Sequence, residues 1–378
     1  MINPGAPEAK KIARQVESWI TQGDDDLGGC VWIGTSGSSG QFRFVCLSKA
    51  GLLASAAAVN RHLQVKPTDR WLCALPEFHV GGLSIYVRGA QADCEVISLD
   101  GSWDPEHFRD ALAKHQITLT SLVPTQVYDL VSKRYQCPES LRAVVIGGEG
   151  LDSGLGERAR ELGWPVLQTY GLTEAGSQVA TESIEALGNG FSGEWLAVLS
   201  CWEVRVKSGE DRLEIKGEPL CRGYLEFSEN DKIEYIEAGD AEGWFTTNDR
   251  VDIRDNDGGP LELTVLGRVD DVIKILGEQV SMNLLNQRFQ GFVREHGDTI
   301  DGFLLALPDE RKGHQILAAV AADEESARSL LNAYQAQAAP YERIDGVRIV
   351  GEIPRSALGK VKRQDLMAVY EEGTSIDT

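Results

Sequence analysis

At 378 residues the chain is long enough for two or three domains, and 42% hydrophobic with 25% charged residues is the composition of a soluble globular protein. A formal net charge of −21 argues against nucleic acid as a partner, because a duplex would be repelled; any anionic ligand must be met by a few deliberately placed cations. No apolar run reaches the roughly 18 residues of a membrane span, and the opening MINPGAPEAKK lacks a secretory core, so a cytoplasmic protein is expected.

The segment EAKKIARQVESWITQ (8–22) has helical spacing and predicts a surface helix. Strand-like runs follow (GCVWIGT, RWLCALP, CEVISL, TLTSLVP, LRAVVIGG), alternating with the helical patterns SKAGLLASAAAVNRHL, PEHFRDALAKH and PTQVYDLVSKRY. This alternation predicts α/β units around a largely parallel sheet. From about 200 to 266 short strands and turns take over, WEVRVKSGEDRLEIKG and VDIRDNDGGPLELTVLG, predicting a small β meander or barrel. Beyond GRVDD a smaller α+β unit is expected: FLLALPDE, QILAAVAA, the helix EESARSLLNAYQAQA, GVRIVGEIP and a closing helix KRQDLMAVYEE. The terminal GTSIDT reads as a frayed tail. The fold class is therefore α/β, a large parallel-rich domain with a β meander, followed by a small α+β domain. The seven cysteines form no C-x-x-C pair, which points to reduced thiols, and the six histidines show no metal-ligand spacing.

In VWIGTSGSSGQFRF (31–44), Thr35, Ser36, Gly37, Ser38, Ser39 and Gly40 follow an apolar run and contribute nothing bulky to a core. Such a loop either presents backbone N–H groups and hydroxyls to an anion or is simply flexible and solvated. It is neither a Walker A loop nor a G-x-G-x-x-G turn. Four further segments carry charge beside glycine: QTYGLTEAGSQVATE (168–182), GWFTTNDRVDI (243–253), LGRVDDVIKILGEQV (266–280) and IPRSALGKVKRQDL (353–366).

Taken in order, these segments resemble the core motifs of the adenylate-forming superfamily of acyl-CoA synthetases, adenylation domains and luciferases. Within it, LPEFHVGGLSIYVRG (75–89) and TEAGSQVAT (173–181) resemble the o-succinylbenzoate–CoA ligases of menaquinone and phylloquinone synthesis. The resemblance implies ATP, Mg²⁺ and coenzyme A as cofactor and co-substrates, a small carboxylic acid as substrate, and acyl-adenylate formation before thioester formation. It implies a domain at 1–267, a hinge at 268–271 and a mobile lid at 272–378, and leaves a homodimer open.

The same resemblance assigns roles. The loop from Thr35 to Gly40 would cradle phosphates, with Arg43 standing where the family usually has lysine; a planar fork replaces a point charge. Thr173 would bond the α-phosphate and Glu174 would ligate Mg²⁺. Tyr170 and Gly171, with Gly147, Gly148 and Glu149, would bound the adenine. Asp249 would accept from the ribose hydroxyls with Arg268 beside it, or else form an Asx turn; Asn248 replaces the usual glycine, and Asn tolerates left-handed geometry. Asp270 would be the hinge, or else a surface aspartate. Lys360 would neutralise the reactants' charge in the first half-reaction, with Lys362 and Arg363 as nearby alternatives. For the acid, His79 either lines the pocket or packs in the core. Arg88 either meets a second substrate carboxylate or pairs with one of the many Asp and Glu residues, since a buried charge needs a partner. Ser177 and Gln178 would add polar lining. In the family a sizeable segment precedes the glycine loop, whereas about thirty residues do here, so an abridged N-terminal region is expected. The rival readings are an adenylating ligase for another acid, with CoA or a carrier protein as acceptor, and a nucleotide-binding protein without turnover.

Overall fold

The structure, a computed structural model, describes residues 14–19, 27, 29–36, 42–227, 233–276, 278–297, 300–309, 311–356, 359 and 361–376. Gly37, Ser38, Ser39, Gly40 and Lys360 lie outside the described residues. The chain divides into two compact units, one of 1–247 with 252–264 and one of 248–251 with 265–378.

The first unit opens with β1 (Cys30–Ser36) and β2 (Phe42–Ser48), paired antiparallel with Thr35 opposite Arg43 and Ser36 opposite Phe42. Thr35 and Ser36 thus belong to a strand rather than to a loop. Helix α1 (Lys49–His62) follows directly, started by the Ser48 hydroxyl, which accepts from the Gly51 amide. Strands and helices then alternate: β3 (Arg70–Cys73), α2 (Val80–Ala92), β4 (Glu95–Ser98), α3 (Pro105–Lys114), β5 (Leu119–Leu122), α4 (Pro124–Ser132), β6 (Ala143–Ile146), α5 (Ser153–Glu161) and β7 (Val166–Leu172). The strands pair in parallel in the order β4-β3-β5-β6-β7. Every residue of β5 and β6 is buried; β6 is accordingly apolar throughout, whereas β5 carries Thr120 and Ser121 inside the fold. Helix α3 is set by Asp104, which accepts from the His107 amide ahead of Pro105. It sends Phe108 and Leu112 into a core shared with Leu72, Ile146 and Trp164.

The strand order reverses between β3 and β5, and ligands gather at the carboxyl ends of strands at such a switch point. Beyond β7 the sheet turns antiparallel through β8 (Ser177–Thr181) and β9 (Leu196–Val198). The short strands expected between 200 and 266 are present and divide between two sheets. β10 (Glu203–Val206) and β11 (Arg212–Lys216) extend the large sheet. β12 (Gly223–Phe227) and β13 (Ile233–Glu237) instead join the first hairpin in the order β1-β2-β12-β13. β14 (Phe245–Arg254) and β15 (Glu262–Arg268) continue the large sheet's order, and the division between units falls within both.

The second unit contains the hairpin β16 (Val272–Ile275) and β17 (Glu278–Ser281), then α6 (Met282–His296). After it come β18 (Asp301–Asp309), β19 (Gly313–Ala321), α7 (Glu324–Gln335), β20 (Ile344–Ile349) and α8 (Arg363–Glu372). The two-residue period of a strand splits its apolar residues between two cores. Leu304, Ile316, Ala318 and Val320 meet α6 and α7 through Phe289 and Leu330. Phe303, Leu305, Leu317 and Ala319 meet α8 through Leu366 and Tyr370. The described part of the tail is not frayed: Thr374–Ile376 form β21 against β20, with Ile349 opposite Thr374 and Val347 opposite Ile376. An open sheet edge offers unpaired N–H and C=O groups, and this small polar segment satisfies them.

Candidate active site

The segment YGLTE leaves β7 through a single 3₁₀ turn, Thr173–Ala175, before β8 begins. Two glycines make this possible. A Cβ on Gly171 would stand 2.0 Å from the Ser177 carbonyl oxygen, and Gly176 has φ +63°, where a side chain is strained. The Cys221 amide donates to the Glu174 carbonyl at 2.7 Å and fixes the turn. Arg43 of β2 reaches the Glu174 carboxylate at 2.8 Å, and the Tyr224 hydroxyl donates to the same oxygen at 3.2 Å. Sequence reasoning missed Tyr224. Its pairing with Val45, beside Arg43, exists only once β12 docks on β2.

The residues expected to bound the adenine lie at the ends of β6 and β7. Tyr170 is in the strand and half-buried, while Gly148 (φ +89°) and Glu149 are exposed in the loop after β6. Gln168, also missed, is buried and holds that loop. Its carbonyl oxygen accepts from the Leu151 amide at 2.7 Å and its amide donates to the Glu149 carbonyl at 3.3 Å.

A second cluster lies at the switch point. Arg88, on the inward face of α2, is 2% exposed, and burial lowers its pKa to about 10. Its guanidinium donates to the Ser177 hydroxyl at 2.7 Å and to the Ser121 hydroxyl at 3.5 Å. Ser84 stands 3.4 Å from Ser177, and the Trp71 ring lies 5.6 Å from the guanidinium carbon. Its Nε has no partner among the described residues, and it pairs with no described carboxylate. The internal ion pair weighed for Arg88 is therefore excluded among those residues: an acidic protein has buried a cation and surrounded it with hydroxyls. Ser84, Ser121 and Trp71 were not foreseen, since serines in a helix and a strand carry no motif.

His79 is half-buried, just ahead of α2, its ring 4.6 Å from that of Phe78. Gln178 is buried, and its carbonyl oxygen accepts from Thr181 at 2.7 Å, which ties that end of the amide to its own strand.

In the second unit Asp249 lies in β14, not in a turn, with Arg268 at 3.6 Å; Asn248 beside it is extended and makes no use of left-handed geometry. Asp270 lies in the 3₁₀ turn Val269–Asp271. Of the alternatives to Lys360, Arg363 pairs with the buried Asp271 at 2.5 Å and Lys362 with Asp365 at 3.2 Å.

Residues 14–225 match the model of the family described as AMP-binding enzyme. The chain belongs to the AMP-binding enzyme family. Among its relatives is the 2-succinylbenzoate–CoA ligase of Bacillus velezensis, 30% identical over 88% of this chain and 67% of that protein. The ligase of the same name from Bacillus pumilus is 28% identical over 88% of this chain and 67% of its own. The solved o-succinylbenzoate CoA synthetase of Bacillus subtilis, in complex with its acyl-adenylate intermediate, superimposes with a TM-score of 0.73 at 26% identity. That match covers 89% of this chain and 68% of the other. The same synthetase in complex with ATP and magnesium ion gives 0.71 at 25% identity, covering 89% and 69%. This AMP-binding enzyme thus has the mixed α/β fold of those synthetases. No helix among its described residues is long and apolar enough to cross a membrane.

Proposed function

We propose that this AMP-binding enzyme is an AMP-forming acid–CoA ligase whose substrate is 2-succinylbenzoate. One observation carries the choice of acid: Arg88, buried, bonded to the Ser121 and Ser177 hydroxyls, and without a described carboxylate partner. Leaving a charge in that state is costly, and a carboxylate on the ligand offsets the cost through charge-assisted bonds. A monoacid has only the carboxylate that reacts. A diacid such as 2-succinylbenzoate, the acid named in the relatives above, has a second one to place against Arg88.

In the first half-reaction one substrate carboxylate oxygen attacks the α-phosphorus of ATP, and the bond to the bridging oxygen of pyrophosphate breaks. Both reactants are anions, so the protein's task is to align them and screen their charge. Thr173 is assigned to the α-phosphate, and Thr35, Ser36 and Arg43, with the segment Gly37–Gly40, to the terminal phosphates. Gly147, Gly148, Glu149, Tyr170 and Gly171 are assigned to the adenine, and Asp249 with Arg268 to the ribose. Glu174 suits Mg²⁺, which favours carboxylate oxygen: only one of its oxygens has a partner among the described residues, so the other would hold the ion. Bound there, the metal would supply charge neutralisation for the phosphates. Lys360 is assigned the ammonium that steadies the entering and leaving oxygens, and Asp270 the hinge of the lid. In the second half-reaction the CoA thiolate attacks the activated carbonyl, and the carbon–oxygen bond to AMP breaks.

Isotope exchange between pyrophosphate and ATP, run over a panel of acids, tests the reading. Exchange with 2-succinylbenzoate and not with benzoate or succinate is expected. Exchange confined to another acid would replace the substrate, and silence with ATP still bound would remove the catalysis.

A further inference from the structure

Arg43 departs from the lysine usual in the adenylate-forming pattern, and the structure shows what accompanies the change. Its guanidinium carbon lies over the Tyr224 ring, 3.9 Å from the centroid. One terminal nitrogen reaches Glu174 at 2.8 Å, and the other faces Glu226 at 3.9 Å. A planar ion can stack by its face and still donate through its edge, whereas an ammonium over a ring spends its N–H groups on the ring. Tyr224 is 6% exposed, and its hydroxyl donates to the Glu174 oxygen that Arg43 also holds. The other Glu174 oxygen has no partner among the described residues. The ring is held in turn by strand pairing, since β12 sets Tyr224 opposite Val45 and Glu226 opposite Arg43.

We propose that Tyr224 is a positioning residue for the metal. It fixes the plane of Arg43 by its ring and the rotamer of Glu174 by its hydroxyl, so that one carboxylate oxygen is occupied and the other is left for the cation. The inference rests on the assignment of Glu174 to Mg²⁺. It also states that Arg43 and Tyr224 act as one unit, so that lysine is no substitute for Arg43 while the tyrosine is present.

The test is Mn²⁺ titration of the enzyme–ATP complex, read by water-proton relaxation without turnover. Tyr224→Phe, which keeps the ring and the fold, is expected to weaken Mn²⁺ about tenfold, the scale of one hydrogen bond to a charged group, with the KM for the acid unchanged. Arg43→Lys should also cost about tenfold in the natural chain but less than about threefold in a Tyr224→Ala background, because the stacking it disrupts is already gone. Undiminished Mn²⁺ affinity in Tyr224→Phe, or losses that simply add, would overturn the inference. So would a Tyr224→Phe protein that melts early and loses acid, ATP and Mn²⁺ affinity alike. Glu174→Gln separates the two levels. If it abolishes Mn²⁺ binding while Tyr224→Phe is silent, only the positioning role falls; if it too is silent, the metal assignment falls and takes the inference with it.

Discussion

Arg88 is the side chain on which stability and function are opposed. A guanidinium bonded to serine hydroxyls, its Nε unpartnered among the described residues, is held at a cost to stability. Arg88→Met is expected to stabilise the protein by about 1–3 kcal/mol, as apolar replacement of buried ions does, which urea unfolding would measure. The same variant should raise the KM for a diacid by at least about tenfold, the worth of a charge-assisted pair, and leave that for a monoacid unchanged. A destabilised variant, or one indifferent to the second carboxylate, would contradict the assignment. Lys360→Ala is expected to abolish pyrophosphate exchange and to leave thioester formation from supplied acyl-adenylate largely intact. Equal loss of both steps would remove it from the first.

Among the structural elements, the turn after β7 depends on backbone clearance more than on any side chain. Gly171→Ala places a methyl against the Ser177 carbonyl, so the strand end must move. A loss of about 2–3 kcal/mol is expected from such overpacking, and displacement of Thr173 and Glu174 should remove exchange activity together with it. At the opposite end of the chain, a stop after Gly373 deletes β21 and bares the edge of β20. Hydrogen exchange should then show earlier opening of the second unit, by about 1–2 kcal/mol for the lost pairs, with the first unit unaffected.

In the first unit a single carboxylate links the ends of several elements. Asp69, buried, accepts from Nε and Nη2 of Arg142 at 2.9 and 2.7 Å, from the Lys66 amide and from the Thr118 hydroxyl. Burial by itself would raise its pKa, but the Arg142 bonds, the Lys66 amide and the Thr118 hydroxyl outweigh it, and the net shift is downward. The folded state therefore takes up the proton less readily than the unfolded chain. The stabilisation is complete above the unfolded value of about 3.9 and is lost as pH falls through the lower folded one. Arg142→Met should cost about 3 kcal/mol near neutrality, because it strands a buried charge, and progressively less in acid. Urea midpoints across pH 3 to 7 would show the gap closing, and a constant gap would contradict the linkage.

How far order along the chain sufficed depended on whether the information was local. The alternation of apolar strands with helical patterns, the glycines of YGLTE and the spacing of NDRVDI are properties of neighbouring residues, and from them the α/β class and the motif positions could be read. The five motif segments also pointed to an adenylate-forming enzyme before any coordinate was in hand. What stayed hidden required distant segments to meet. Whether Arg88 had a counterion depended on what α2, β5 and β8 bring around it, and its partners proved to be serines, a residue type with no signature. Tyr224 acquired meaning only when β12 paired with β2, and the tail became a strand only because β20 had an edge to fill. Strand pairing across long separations is decided by which edges and apolar faces are left over after local structure forms, and no window along the chain contains that.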